Sequence, residues 1–163
     1  MTKQQLLKKI DAAWEAFKES YAGLSDSQLL ESGVTGDWSV KDILAHVTWW
    51  EEEALKHLPD LLKGERPPRY SVVYGGIDAF NALMTKQKKG LALARVLAEQ
   101  DETHRQLIAY VKTLPDEQLT TETRIRRRIR LDAYGHYPIH AKAIRKWRAK
   151  LGLGDSGQGA LFS

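Results

Sequence analysis

Apolar residues recur at intervals of three and four through most of this 163-residue chain, a spacing that predicts amphipathic α-helices. The first stripe predicts a helix that begins after Thr2, with Gln5 completing a capping box, and ends near Gly23. A connection follows, with one helical turn predicted at 25–30. The apolar positions of the first stripe are Leu6, Ile10, Ala13, Trp14, Phe17 and Tyr21.

The second stripe predicts a helix that begins at Ser39, with Asp42 as the acidic member of a capping box. Pro59 is expected to disturb or end this helix. Because Trp49 and Trp50 are adjacent, they cannot both face one side of the helix, and we expect one of them to be partly exposed. The buried positions predicted here are Val40, Ile43, Leu44, Val47, Trp50 and Ala54.

Two further helical regions complete the pattern. The third opens near Asp78, after a polar loop with two prolines, is interrupted at Gly90 and ends before Pro115. The last stripe predicts one continuous helix face, formed by Ile125, Ile129, Ala133, His136, His140, Ile144, Trp147 and Leu151. No segment shows a convincing strand alternation. We therefore predict an all-α, up-down-down-up four-helix bundle, with a single domain at 1–151 and a flexible tail at 152–163.

The chain carries a weak internal echo at an offset of 90 residues. The hexapeptide LSDSQL begins at residue 24 and LPDEQL at residue 114. At the same offset His46 meets His136, whereas Trp14 meets His104, so the match is not continuous. Either the chain consists of two similar helix pairs around a pseudo-two-fold axis, or these hexapeptides are ordinary connections between helices.

Composition narrows the class of protein. There is no cysteine and no apolar stretch long enough to span a membrane, so we expect a cytoplasmic protein without a membrane partner. The net charge is +4, and five of the 25 basic residues lie in the run RIRRRIR at 124–130. The rest of the chain is nearly charge-balanced and the run contains no aromatic residue, so we expect no nucleic-acid partner.

Three histidines are the strongest chemical signal. His136 and His140, four residues apart, share one helix face, and His46 lies on the inward face of the second helix. Converging neutral imidazoles would suit a divalent transition metal, with zinc or nickel preferred and iron compatible, and three ligands leave a position open for water or substrate. Alternatively, each histidine is an ordinary core or surface residue. His57, about 16 Å along its helix from His46, is too distant to share an ion, and His104 is expected to be exposed.

Pro138 lies between two of these histidines. Inside a helix it would remove a hydrogen bond to the Tyr134 carbonyl and, with Gly135, introduce a kink that sets the angle between His136 and His140. The alternative is a last helix that starts late, with Pro138 in its first turn.

Other residues are candidates for the surroundings of the site. Asp42 either caps its helix or orients His46 through a hydrogen bond. Trp50, Tyr134 and Tyr137 are expected to line a substrate pocket, and the alternative is that they belong to the plain core. Arg130, in the arginine run, is expected to contact an anionic substrate or the carboxylates of a thiol cofactor, and the alternative is that it lies on a solvated helix face.

Three segments resemble a known family. GDWSVKDILAHVTWWEE at 36–52, GIDAFN at 76–81 and YGHYPIHAKAIRKWR at 134–148 are similar to the DinB-like (YfiT-like) superfamily of four-helix-bundle metalloenzymes, near its ClbS/DfsB branch. The resemblance covers about 3–150 and implies a metal triad at His46, His136 and His140. It also implies several chemistries, among them transfer of low-molecular-weight thiols, thiol-dependent isomerisation and hydrolysis. Some relatives lack the triad or bind no metal.

These observations predict a divalent-metal-dependent enzyme of the hydrolase or thiol-transferase type, related to detoxification or stress. Its three-histidine site would activate water or a low-molecular-weight thiol toward a small-molecule substrate. The resemblance also implies a homodimer, with the partly exposed tryptophan at the dimer surface. The alternative is a small-molecule binding or self-protection protein of the same fold, with a structural metal or none.

Overall fold

The structure is a computed structural model that describes residues 1–153, and those residues form helices with no named strand. From residue 154 onward, the predicted tail lies outside the described residues. The elements are α1 (Lys3–Tyr21), α2 (Asp26–Leu29), α3 (Val40–Leu62), α4 (Tyr70–Val73), α5 (Ile77–Lys88), α6 (Leu93–Thr113), α7 (Asp116–Thr120), α8 (Arg124–Ile129), a π-helical segment (Arg130–Tyr134) and α9 (Tyr137–Lys150).

The two predicted capping boxes, at Thr2 and Ser39, are confirmed, and the structure adds a third at Ser25. Thr2 with Gln5, Ser25 with Gln28 and Ser39 with Asp42 each exchange two hydrogen bonds at the start of a helix. These bonds satisfy backbone amides that have no partner inside the helix. They fix where α1, α2 and α3 begin.

The prediction that Pro59 disturbs or ends α3 is wrong. The helix continues to Leu62, and the amide of Lys63 bonds to the carbonyls of Pro59 and Asp60. The burial of Ala54 and Leu58 just before the proline explains the continuation, because packing on one side outweighs the loss of one backbone bond.

The core lies between four long helical stretches, and α3 is the most enclosed of them. It packs against α5, α6, α8, the π-helical segment and α9, and its most extensive contact is with α6. The α1 helix packs chiefly against α9. The all-α class is confirmed, while the up-down-down-up order and the single domain at 1–151 stay predictions.

The enclosure of α3 corrects the prediction for its two adjacent tryptophans. Trp49 is 1% exposed and Trp50 is 8% exposed, so both are buried. Both indole N–H groups donate to Oδ1 of Asn81 on α5, at 3.2 and 2.9 Å. A helix that is covered on several sides can bury neighbouring positions, so neither tryptophan supports a dimer surface.

The similarity between positions 90 residues apart also holds for the bounds of the helices. Adding 90 to the bounds of α1 and α2 places them on α6 and α7, and adding it to α3 gives 130–152, which covers the π-helical segment and α9. Two equivalent pairs are in contact: the imidazoles of His46 and His136, and the stacked rings of Trp14 and His104, whose centroids lie 3.7 Å apart. Trp14 and His104, the two residues whose difference interrupted the sequence match, are therefore in contact in the structure. This favours two similar helix pairs over the alternative that the two hexapeptides are ordinary connections between helices.

The last stripe is helical but not one continuous α-helix. The structure has α8, the π-helical segment, a turn at Gly135 and His136, and then α9, with Pro138 in the first turn. In a first turn the missing N–H of proline removes no bond, so the proline is not the cause of the break. The predicted positions are buried from Ile125 to Trp147, except that His136 is half-buried, whereas Leu151 is 46% exposed.

Among the described residues, no helix is long and apolar enough to cross a membrane.

Replacing Ser39 with alanine should lower the free energy of unfolding by about 1 kcal/mol, because the Asp42 amide loses its capping oxygen. Urea denaturation measures the change. Ser25→Ala is the matched control, since it removes the same capping box from the single-turn, exposed α2 and should cost less. Equal losses in the two variants would contradict the importance of the α3 cap.

Candidate metal centre

The three predicted histidines converge in the structure. Nε2 of His46 lies 3.2 Å from Nε2 of His136, which lies 2.9 Å from Nε2 of His140. One ligand atom from each residue falls within 4.8 Å of the other two. His57 is not part of the group, and its Nε2 faces Glu53 instead, at 3.5 Å. The spacing of histidines along the sequence therefore identified a real three-dimensional cluster.

The π-helical segment positions one of these histidines. The amide of Gly135 bonds to the carbonyl of Arg130, five residues earlier, at 2.8 Å, and the amide of His136 bonds to Ala133. A wider turn of this kind changes the direction of residues after it relative to residues before it. Gly135 is required for this, because a Cβ at that position would lie 2.7 Å from the Arg130 oxygen. The last helix therefore starts late with Pro138 in its first turn, which was the alternative to a proline kink, and the wide turn with the glycine produces the break before it.

The environment holds all three imidazoles neutral. Burial lowers the pKa of His46 to about 2, with further lowering by the other two histidines. Burial also lowers the pKa of His136 to about 3, with His140 adding to the effect, and that of His140 to about 4. Neutral imidazoles are the form that binds a metal ion.

Two of the three nitrogen spacings fit a divalent ion. Nitrogens bound tetrahedrally at 2.0–2.1 Å lie about 3.3 Å apart, close to the 3.2 and 2.9 Å observed here. Without an ion, Nε2 of His136 carries either one proton or one lone pair, so it can form a full hydrogen bond with only one of the other two Nε2 atoms. Nδ1 of His46 and Nδ1 of His136 have no hydrogen-bond partner among residues 1–153, so no carboxylate orients these two rings from behind. Nitrogen donors suit zinc, nickel or iron, and the structure does not distinguish them.

Aromatic residues that the sequence analysis missed surround His46. The ring centroids of Trp38 and Trp49 lie 4.9 and 5.0 Å from that of His46. Asn81 holds the Trp49 indole in place through its N–H. In the sequence, only the GIDAFN segment, which contains Asn81, gave an indication of this hydrogen bond. Because His136 is half-buried, its side is the more open one.

Most residues predicted to surround the site are engaged elsewhere. Trp50 packs against Tyr70 and Phe80. The carboxylate of Asp42 accepts from the amide and hydroxyl of Ser39, so Asp42 caps its helix and does not orient His46. Capping was one of the two alternatives for Asp42.

The remaining predicted substrate contacts are also occupied. Tyr137 is fully buried and its hydroxyl donates to Glu51, at 2.7 Å. Arg130 donates to both carboxylate oxygens of Glu122, at 3.0 and 2.7 Å. The buried ring of Tyr134 lies beneath Lys9. The structure therefore gives no support for Trp50, Tyr134, Tyr137 or Arg130 as contacts of a substrate at the histidines.

The prediction that His104 is exposed is wrong. Its side chain is 11% exposed, and its Nδ1 lies 2.7 Å from Oε2 of Glu51, which is completely buried. Burial raises the pKa of Glu51, while hydrogen bonds from His104 and Tyr137 oppose that shift. The stacking partner Trp14 explains the burial, since it covers one face of the imidazole in an otherwise polar stretch.

Comparison with known families identifies the chain. A family model for the DinB superfamily matches residues 9–142, which include all three histidines. The chain belongs to the DinB superfamily. The resemblance expected from the sequence motifs is thereby confirmed. Among curated proteins, none matches this chain.

Solved structures support the fold of this DinB-superfamily member. DfsB, described as a sibling lethal factor precursor, is 21% identical, with a TM-score of 0.78 over 94% of this chain and 99% of its own. An uncharacterised protein from Escherichia coli UTI89 is 17% identical, with a TM-score of 0.79 over 94% of this chain and 96% of its own. At these identities the likeness shows the fold alone.

A third structure contains a nucleic acid. The colibactin self-resistance protein ClbS, solved in complex with double-stranded DNA, is 18% identical, with a TM-score of 0.75 over 89% of this chain and 94% of its own. A protein of this fold therefore contacts DNA. That finding does not fit our expectation that nucleic acid is excluded as a partner.

Replacing Gly135 with alanine should weaken zinc binding at least tenfold and lower the free energy of unfolding by about 1–3 kcal/mol, because the new methyl group meets the Arg130 carbonyl. Zinc titration and urea denaturation measure the two effects. Gly90→Ala is the matched control, since a Cβ there meets nothing within 4 Å. Wild-type affinity and stability in Gly135→Ala would contradict the role of the wide turn.

Metal-free protein should lose stability as the pH falls from about 6.5 toward 4. In that interval the unfolded chain protonates its histidines, whereas the three buried imidazoles stay neutral until their lowered pKa values are reached. Each contributes a slope of up to about 1.4 kcal/mol per pH unit. Urea denaturation in EDTA at several pH values measures the slope.

His136→Gln isolates this effect from the buried carboxylates, whose raised pKa values act in the opposite direction. The variant should show a slope shallower by about one histidine's contribution over the same interval. Equal slopes in wild type and variant would mean that His136 is protonated in the folded protein.

Proposed function

We propose that this protein is a divalent-metal-dependent enzyme of the hydrolase or thiol-transferase type. The observation that carries the proposal is the convergence of three neutral histidine nitrogens at spacings of 3.2 and 2.9 Å. A bound zinc, nickel or iron ion would polarise an electrophile or lower the pKa of water or a small thiol. Membership of the DinB superfamily supports the same interpretation.

The chain's own residues provide binding and positioning. His46 comes from α3, and His136 and His140 flank the start of α9, so the three ligands are held by elements that pack directly on each other. Trp38 and Trp49 cover His46 and exclude water from that side. The half-buried His136 leaves the opposite side for a small molecule.

A second candidate is a binding protein that sequesters a small molecule without turnover. The names of two relatives of this fold favour it, since ClbS is described as a self-resistance protein and DfsB as a sibling lethal factor precursor. In that case the histidines would hold a structural ion or none. The homodimer and the cytoplasmic location stay predictions under both candidates.

Metal content tests the first candidate. Protein purified without an affinity tag should contain about one transition-metal ion per chain, or take one up from added zinc or nickel, because three ligands converge at one point. Elemental analysis measures it. In His136→Ala the ion should be lost while the helical circular dichroism signal is kept.

His57→Ala is the matched control, because it removes a buried histidine on α3 outside the cluster and should leave the metal content unchanged. Turnover in screens of hydrolysis and thiol transfer should disappear with a chelator and return with metal. Wild-type protein that neither contains nor takes up an ion would refute the metalloenzyme. Turnover that continues after complete metal removal would show that the activity does not require the metal.

A further inference from the structure

A cavity of about 280 Å3 lies between the α8 helix and the loop that precedes α4. Its wall carries four guanidinium groups, from Arg69, Arg124, Arg127 and Arg128, and no carboxylate. Arg124, Arg127 and Arg128 are three and four residues apart, so they share one face of α8. The arginine run noted in the sequence therefore faces a concave surface.

One of these arginines is held rigidly. Nε of Arg128 donates to Asp132 at 2.5 Å, and a terminal nitrogen donates to the hydroxyl of Tyr70 at 2.7 Å. The Tyr70 hydroxyl in turn donates to Glu53, at 3.0 Å. This network fixes Arg128 and the ring of Tyr70 as one wall of the cavity before any ligand arrives.

Among the described residues the other three arginines, Arg69, Arg124 and Arg127, are in no ion pair. Glu122, close to them in the sequence, is held by Arg130, although besides that hydrogen bond the charge of Arg127 helps to lower the pKa of Glu122. Three like charges around one concavity repel one another and create a positive potential that favours an anion. Guanidinium groups are suited to planar, two-point contacts with phosphate and carboxylate.

The rest of the lining is apolar. Leu61 and Leu131 contribute side chains, and Pro67 and Pro68 form a stiff rim with the ring of Tyr70 beside them. A ligand that fills this space must combine an anionic group with an apolar or aromatic body. The volume lies close to the lower end of the range for small-molecule sites, roughly 300–1,000 Å3.

We propose that this cavity is a binding site for a small organic anion, a phosphate or carboxylate carried on an apolar or aromatic body. Arg69, Arg124 and Arg127 close around the anionic group, Arg128 positions it, and Tyr70 with the two leucines covers the body. Arg128 lies eight residues before His136, about 12 Å along a helix, so this site is separate from the histidine cluster and does not depend on a metal there.

Small probes test the proposal by titration calorimetry at low salt on the full chain. Phenyl phosphate and benzoate combine an anion with an aromatic ring, inorganic phosphate has the anion alone, and phenol has the ring alone. Phenyl phosphate or benzoate should bind more tightly than inorganic phosphate, and phenol should not bind. Which of the two aromatic anions binds more tightly identifies the preferred anionic group.

Arg124→Ala combined with Arg127→Ala should weaken binding of the aromatic anion at least tenfold. The matched control is Arg95→Ala combined with Arg105→Ala, which removes the same charge from two exposed arginines on α6 and should bind like the wild type. Replacing Arg124 and Arg127 with lysine keeps the charge and should still weaken binding severalfold, because lysine cannot make the two-point contact.

Three results would overturn the proposal. The first is no binding of any anion by folded wild-type protein. The second is equal weakening in the two double-alanine variants, which would assign the effect to overall charge. The third is a DNA duplex that binds with strong salt dependence and loses affinity in the Arg124 and Arg127 variant, while phenyl phosphate and benzoate do not compete. That outcome would make the surface a nucleic-acid interface instead.

Discussion

The hydrogen bond from the Gly135 amide to the Arg130 carbonyl is the constraint on which the candidate metal centre depends. It closes one wide helical turn, and with the short turn at Gly135 and His136 it allows the chain to change direction between α8 and α9. His136 directly follows that turn and meets His46 on the central helix. Glycine is needed because the approach to the carbonyl is too close for a side chain.

The core around this turn is organised as two similar helix pairs. Trp14 stacks on His104, and His46 faces His136, and each pair joins positions 90 residues apart. The two contacts have different chemistry. One is an aromatic stack sealed by the buried carboxylate of Glu51, and the other is a cluster of nitrogens that lack protonated partners. An arrangement of repeated helices has thus acquired a structural contact at one position and a candidate chemical centre at the other.

The charged groups described above differ in whether they are paired. The buried carboxyl of Asp132 is paired with the half-buried Arg128, as low polarity requires, and Arg130 is held by Glu122. Three arginines that form no ion pair among the described residues, Arg69, Arg124 and Arg127, line a cavity.

The sequence by itself determined the helical class, the capped starts of α1 and α3, and the identity of the three histidines, since local periodicity and spacing encode these directly. Only the tertiary structure decided which side chains are buried. His104 was expected to be exposed and one of Trp49 and Trp50 to be partly exposed, but Trp14 covers the histidine, and α5 with Asn81 covers both tryptophans. Arg130 was expected at the site, yet Glu122 holds it, and other arginines face the cavity. These outcomes depend on contacts between residues distant in the chain and on a backbone hydrogen bond that spans five residues, from Gly135 to Arg130. The hydrophobic periodicity of the sequence predicts neither.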